Sequence, residues 1–162
     1  MTRIATVVGA AGGVGTTRVT VECGATLARA GHDVAVVDVA FGTQGLRSYI
    51  ESDITADVTA LLTEEASLGD VLYDLPVDTP GRLAVAPVRA PLERLARAQT
   101  IGAARHLERQ LAASSLSYDV VLVDTPPLNG NHAIAAVNTA EKVGLVTADT
   151  SRGRDSLAMM RG

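Results

Sequence analysis

The chain alternates between short apolar runs and longer stretches in which apolar residues recur at helical spacing. Each run is rich in Val, Leu, Ile or Ala, and several end at a proline or an aspartate, which is typical of short buried strands. The pattern therefore predicts five strands. They lie at residues 3–8, Val34–Val37, Leu83–Ala86, Val120–Val123 and Val143–Thr147.

The stretches between these runs predict helices, because their apolar residues lie three or four positions apart. In the first helix, this spacing places Val19, Cys23 and Leu27 on the face that we expect to contact the core. The predicted helices cover residues 16–30, 54–62, 67–73, 91–113 and 131–140, and a last one begins at Ser151.

The longest predicted helix, residues 91–113, carries Leu92, Ile101 and Leu107 roughly in phase, and we expect them to be buried together. Gly102 weakens the middle of this helix, because glycine is a poor helix former. In the short helix at residues 67–73, Thr63 or Ser67 is the expected capping residue.

Strands that alternate with helices indicate an α/β fold with a mostly parallel sheet flanked by helices. A chain of 162 residues is long enough for one domain with its own core, so we predict a single domain over residues 1–162. In such a sheet, the loops after Val8, Val37 and Val123 meet at the edge where open sheets bind ligands.

Composition narrows the class of protein further. Apolar residues make up 47% of the chain and aromatic residues only 2%, which suits a core of aliphatic strands. The net charge of −4 argues against bulk nucleic-acid binding, although a local basic patch stays open. No signal segment or long apolar run is present, so we predict a cytoplasmic protein. Cys23 is the only cysteine, which excludes a disulfide, and we expect it to be a small buried residue.

A glycine-rich segment, Gly9–Arg18, follows the first strand and precedes the first helix. Glycines at such a turn allow the backbone to present N–H groups to a phosphate, but glycines that only permit close packing give the same pattern. Thr17 holds the position whose hydroxyl meets Mg²⁺ in a phosphate-binding loop, whereas Thr16 stands where that loop has lysine. The candidate nucleotide-binding residues here are Gly12, Gly13, Val14, Gly15, Thr16, Thr17 and Arg18.

Two aspartates each stand at the end of an apolar run. Asp124 closes the fourth predicted strand, where it is suited to hold Mg²⁺ together with Thr17, directly or through water. The alternative is an aspartate that only caps a turn. Asp38 closes the second predicted strand and has the same two interpretations, with nucleotide binding as its functional one.

Together, these segments resemble the ParA/MinD family of deviant Walker A P-loop ATPases. Ala11–Thr17 is similar to the family loop Lys-Gly-Gly-x-Gly-Lys-Thr/Ser, and Val36–Ala40 is similar to its Asp-x-Asp motif. Tyr118–Pro127 closely matches its Walker B and switch region. The resemblance covers residues 3–157 and implies a P-loop three-layer sandwich that binds ATP or ADP with Mg²⁺.

The chain departs from the family pattern where the resemblance places catalytic charge. Ala11 replaces the signature lysine, which in the family reaches the nucleotide of a dimer partner. Thr16 replaces the lysine that contacts the β- and γ-phosphates, Ala40 replaces the aspartate that positions water, and Ala10 replaces the opening glycine. Phosphoryl transfer depends on charge neutralisation and positioning, so these losses predict weak nucleotide binding with little or no hydrolysis.

The resemblance also implies that further strands, the adenine-binding loop and the membrane-binding tail of MinD-like members follow the region matched here. We therefore expect the C-terminal part of the family fold to be absent from residues 1–162, either because the sequence is a fragment or because it is a natural minimal form. Base recognition and membrane association cannot be read from these residues. Its expected partner is a second copy of the chain or another protein, bound at the switch surface.

Three functions follow from these observations. The first is a regulatory or positioning factor, in cell division, partition or cargo placement, that binds nucleotide weakly. The second is a slow ATPase in which arginines replace the lysines, and the third is a nucleotide-free scaffold. The candidate arginines are Arg18, Arg47, Arg152 and Arg154, each of which is equally typical of a solvated surface. His132 is either a sensing residue or an ordinary residue of a helix start, and no catalytic residue is assigned.

Overall fold

A computed structural model describes residues 1–113 and 117–160. The described chain forms a six-stranded sheet in the order β3-β4-β2-β5-β1-β6. The strands are β1 (Arg3–Gly9), β2 (Val34–Asp38), β3 (Tyr73–Asp74), β4 (Leu83–Ala86), β5 (Val120–Thr125) and β6 (Lys142–Val146). The helices are α1 (Thr16–Arg29), α2 (Val58–Leu62), α3 (Leu92–Ala98), α4 (Ile101–Ala112), α5 (Asn131–Thr139) and α6 (Ser151–Met160).

All pairs of neighbouring strands in this sheet are parallel except β3 and β4, which are antiparallel. The predicted α/β fold with a mostly parallel sheet is therefore confirmed. Strand β5 lies between β1 and β2, and its Asp124 is opposite Val7 on one side and Asp38 on the other. This register brings the loops after β1, β2 and β5 together at one edge of the sheet.

The core has two apolar layers, one on each face of the sheet. Val36 of β2 packs in the layer that contains Val21 of α1, whereas Val37 packs in the layer that contains Leu107 of α4. Every residue of β2 is buried, because helices cover both faces of this central strand.

Residues 91–113 do not form the single continuous helix that was predicted. They divide into α3 and α4 at Gln99 and Thr100, where the Thr100 hydroxyl accepts the Ala103 N–H at 3.2 Å and caps α4. Leu92 and Ile101 are the first residues of these two helices, and they are 84% and 62% exposed, contrary to the prediction that they are buried.

The two short predicted helices also differ from the structure. The first begins only at Val58, because the Asp57 carboxylate caps α2 by accepting the Ala60 N–H at 3.2 Å. The second is a single 3₁₀ turn at Gly69–Val71, followed directly by β3. Ser67 donates its hydroxyl to Asp70 at 2.6 Å and caps no α-helix.

The predicted core face of α1 is likewise wrong. The helix buries Thr20, Val21, Gly24 and Ala28, whereas Cys23 is exposed. Gly24 explains the difference, because a Cβ added there would lie 2.9 Å from the Leu83 side chain. The helix backbone thus approaches the sheet where glycine and alanine leave room, and Val19 and Cys23 face outward.

The helices of the described chain are too short or too polar to span a membrane. None in residues 1–113 and 117–160 is both long and apolar enough to cross a bilayer.

Candidate functional site

The glycine-rich segment forms a tight turn between β1 and α1. Gly13 and Gly15 have φ angles of 77° and 85°, in the left-handed region that favours glycine over residues with a side chain. The turn leads directly into α1 at Thr16, so the backbone N–H groups that begin the helix face the sheet edge. Such an arrangement provides partial positive charge for a phosphate without any side chain.

The loop forms one wall of a cleft of about 320 Å³ at the carboxyl end of the sheet. The loops after β2 and β5 form the other walls, as the parallel arrangement predicts. The sequence predicted that these three loops meet here, but it did not single out Gly42, Thr43 and Gly45 of the loop after β2, which also line the cleft. The lining residues are Ala11, Gly12, Gly13, Gly15, Thr16, Thr17, Ala40, Gly42, Thr43, Gly45, Asp124, Thr125, Pro126 and Pro127.

Thr17 and Asp124, the two predicted magnesium ligands, lie in direct contact. The Thr17 hydroxyl donates a hydrogen bond of 2.6 Å to Oδ2 of Asp124. The other oxygen, Oδ1, is buried and has no hydrogen-bond partner among the described residues. Burial raises the pKa of Asp124, and the hydrogen bond from Thr17 partly opposes this shift. A hydroxyl beside a carboxylate oxygen without a partner is a donor set that fits Mg²⁺.

Asp38 lies beside this pair, behind the wall of the cleft. Its side chain is fully buried, and its two oxygens accept the N–H groups of Ala40 at 2.8 Å and Leu46 at 3.4 Å. Burial raises the pKa of Asp38 to about 7, with a second contribution from the negative charge of Asp124. Asp38 therefore holds the loop after β2 in place, and it does not line the cleft.

The described residues that line the cleft include no lysine, arginine or histidine. Thr16 lines the cleft where the family motif has lysine, and its hydroxyl packs against Gly9, since a Cβ added at Gly9 would lie 2.5 Å from the Thr16 hydroxyl oxygen. Ala11 and Ala40 also line the cleft, so three of the departures from the family motifs meet at one place.

The predicted substitute cations lie elsewhere. Arg18 is exposed on the outer surface of α1, where it lines a different apolar depression with Val19 and Cys23. Arg154 pairs with Asp149 at 2.9 Å, and both side chains are largely exposed. The remaining predicted residues outside the cleft lining are Val14, Arg47 and Arg152.

His132 joins the two loops that flank the cleft. Its ring is 5% exposed and stacks on Phe41 from the loop after β2, with the ring centroids 4.4 Å apart. Nδ1 of His132 has no hydrogen-bond partner among the described residues, and burial lowers the pKa of the ring. A Cβ added at Gly130 would lie 2.6 Å from this ring, so the His132 ring packs closely only because residue 130 is glycine. This glycine is the feature of the sequence that could have indicated the packing.

We expect a His132→Phe variant to be more stable than the unmodified chain, and increasingly so at acidic pH. The unfolded chain binds a proton at a pKa of about 6.5, whereas the buried ring resists protonation, so the native histidine loses stability as the pH falls below this value. Urea unfolding at pH 7.5 and 5.5 measures the effect. A His32→Phe control on an exposed histidine should show no such gain. Equal pH dependence of the native chain and His132→Phe would contradict the prediction.

Known proteins are similar to this chain over most of its length. A family model described as an AAA domain matches residues 2–156. The sporulation initiation inhibitor protein Soj of Bacillus subtilis is 30% identical over 148 residues, covering 88% of this chain and 57% of Soj. The chain thus spans little more than half the length of this curated relative.

Solved structures show the same fold. The septum site-determining protein MinD of Pyrococcus horikoshii, complexed with Mg-ADP, matches with a TM-score of 0.79 and 24% identity, over 99% of this chain and 65% of MinD. Cobyrinic acid a,c-diamide synthase of Mycobacterium smegmatis, with a bound ATP analogue and magnesium, matches with a TM-score of 0.81 and 22% identity, over 99% of this chain and 66% of the synthase. Apo McdA of Cyanothece matches with a TM-score of 0.79 and 19% identity, over 99% of this chain and 64% of McdA.

Proposed function

The chain belongs to the ParA/MinD family of P-loop ATPases, and we propose that it is a weak nucleotide-binding positioning factor with little or no ATP hydrolysis. One observation carries this proposal. The cleft keeps the backbone cradle and the Thr17–Asp124 pair, but no basic side chain of the described residues lines it. The missing basic side chains would have contributed both to the affinity for phosphate and to the stabilisation of the transition state.

Binding in this proposal depends on the backbone and on Mg²⁺. The N–H groups of the loop and the first turn of α1 contact the phosphates, and Thr17 and Asp124 hold the metal. When bound, Mg²⁺ supplies the positive charge that the cleft lacks. Hydrolysis is slow, because the loss of transition-state stabilisation on the order of 4 kcal/mol lowers a rate about a thousandfold.

The biological role is proposed from the family. Soj is named for the inhibition of sporulation initiation, and the structural neighbour MinD is named for septum-site determination. We propose a similar positioning role in the cytoplasm, through a homodimer or a partner protein at the surface formed by the loops after β2 and β5. The His132–Phe41 stack links the loop after β2 to the start of α5, directly after the loop that follows β5, so both parts of this surface are in contact.

The two alternative functions receive less support from the site. A slow ATPase that relies on substitute arginines requires one of them at the cleft, yet Arg154 pairs with Asp149 and Arg152 is exposed. A nucleotide-free scaffold would not need an unpartnered buried oxygen on Asp124 next to the Thr17 hydroxyl.

We expect fluorescent ADP to bind the chain at least about tenfold more tightly with Mg²⁺ than with EDTA, because a charged metal contact contributes about 1.5–3 kcal/mol. An Asp124→Asn variant should lose most of this difference, whereas Asp78→Asn, an exposed control, should keep it. Fluorescence titration gives the affinities, and phosphate release gives turnover. No binding at millimolar nucleotide would contradict the proposal and favour the scaffold, and rapid turnover would contradict the loss of catalysis.

A further inference from the structure

The chain carries a strongly basic segment within an acidic protein. Residues 89–109 contain five arginines and two glutamates, a net charge of +3, although the whole chain has a net charge of −4. This segment comprises α3, α4 and the turn that joins them. Charge so concentrated on two adjacent helices creates a local positive potential that the rest of the molecule does not share.

Part of this charge lines a groove on the surface. The groove has a volume of about 440 Å³ and lies between the end of α2 and the start of α4. Arg97, Arg105 and Arg109 line it, and Glu64 lies at its wall. Arg109 already contacts Glu64 at 3.4 Å, so its charge is partly neutralised within the molecule.

Arg97 and Arg105 are different, because both side chains are exposed and neither makes an ion pair or side-chain hydrogen bond within the described chain. Guanidinium groups bind carboxylates and phosphates through paired hydrogen bonds, and two of them in one groove are suited to an anionic ligand. The groove also includes Gly102 and Ala103, at the positive end of the α4 dipole.

The immediate surroundings favour a peptide over a nucleic acid. The side chain of Ile101 is 62% exposed next to groove residues Thr100 and Gly102, and Leu92 is 84% exposed on α3. Exposed aliphatic residues beside arginines match a ligand that has both apolar and acidic side chains. A phosphate backbone carries negative charge along its whole length, so the part that extends beyond the groove would be repelled by a chain with a net charge of −4, whereas a short acidic segment places its charge in the groove alone.

We propose that the α3–α4 groove is a docking site for an acidic segment of a partner protein, in which carboxylates bind Arg97 and Arg105 and an apolar side chain covers Ile101. This function is separate from the nucleotide cleft, since the groove and the cleft share no lining residue. The proposal therefore does not depend on whether nucleotide binds.

The test measures fluorescence anisotropy of a labelled peptide in which glutamates alternate with leucines. We expect saturable binding to the unmodified chain, weakened at least about tenfold in Arg97→Gln/Arg105→Gln, because each charged hydrogen bond contributes about 1.5–3 kcal/mol. Arg3→Gln/Arg29→Gln removes the same charge from exposed positions outside the groove and should retain the affinity.

Further probes separate the apolar contact and the class of ligand. An Ile101→Ser variant should also weaken peptide binding, and replacement of the peptide glutamates by glutamine should abolish it. Thermal denaturation of each variant verifies that the fold is retained. The proposal would be overturned by equal affinity of the Arg97→Gln/Arg105→Gln variant, or by tighter binding of a labelled DNA duplex at the same site.

Discussion

A Thr16→Lys variant is expected to bind ATP at least about tenfold more tightly than the unmodified chain, since a charged hydrogen bond to phosphate contributes about 1.5–3 kcal/mol. Thr16 begins α1 and lines the cleft, and its hydroxyl lies over Gly9 at the end of β1. A lysine at this position would direct an ammonium group toward the phosphates that the loop N–H groups contact.

Isothermal titration with ATP and ADP measures this gain. A Thr16→Met variant is the matched control, because methionine has an unbranched side chain close to lysine in length but carries no charge. Thr16→Met should bind no better than the unmodified chain, and the gain in Thr16→Lys should decrease with added salt. An unchanged ATP affinity in Thr16→Lys would show that residue 16 does not hold the position of the P-loop lysine.

At pH 8 without Mg²⁺, we expect the free energy of unfolding of an Asp38→Asn variant to be about 2 kcal/mol higher than that of the unmodified chain. Burial and the charge of Asp124 raise the pKa of Asp38 to about 7, far above its ordinary value of 3.8. The folded chain therefore retains a proton that the unfolded chain has lost, and native stability decreases as the pH rises from 4 to 7. Asparagine removes this dependence because it does not ionise.

Urea unfolding at pH 4.5 and pH 8 measures the difference between the two proteins. The stability gain should be small at the lower pH, where Asp38 is already protonated in the folded chain. The exposed Asp78→Asn control should give no gain at either pH. A destabilised Asp38→Asn variant at pH 8 would show that the bonds from Ala40 and Leu46 require a charged carboxylate.

The departures from the family motifs have a common location. Ala11, Thr16 and Ala40 are distant in sequence, yet all three line the same cleft as Thr17 and Asp124. The cleft thus combines a retained phosphate cradle with the loss of the side chains that neutralise charge. This combination favours a protein whose nucleotide affinity depends on Mg²⁺ over one that turns ATP over rapidly.

The order of strands and helices was predictable, because the strands β2, β4 and β5 are buried on both faces and therefore have continuous aliphatic sequences. The runs of β1 and β6 are also rich in aliphatic residues, although β6 at the edge of the sheet is largely exposed. The strand β3 was missed, since Tyr73–Asp74 has only two residues and depends on pairing with β4. The break between α3 and α4 was missed because the cap at Thr100 overrides a periodicity that continues across it.

For the candidate site, residue type and order along the chain were enough to predict the phosphate loop, its lack of lysine, and Thr17 and Asp124 as magnesium ligands. Which side chains share one environment depended on the packing of the folded chain. It moved Arg18 away from the cleft, buried Asp38 beside Asp124 and stacked His132 on Phe41. The physical reason is that helix rotation, burial and like-charge contact arise from packing between distant segments, which local patterns do not encode.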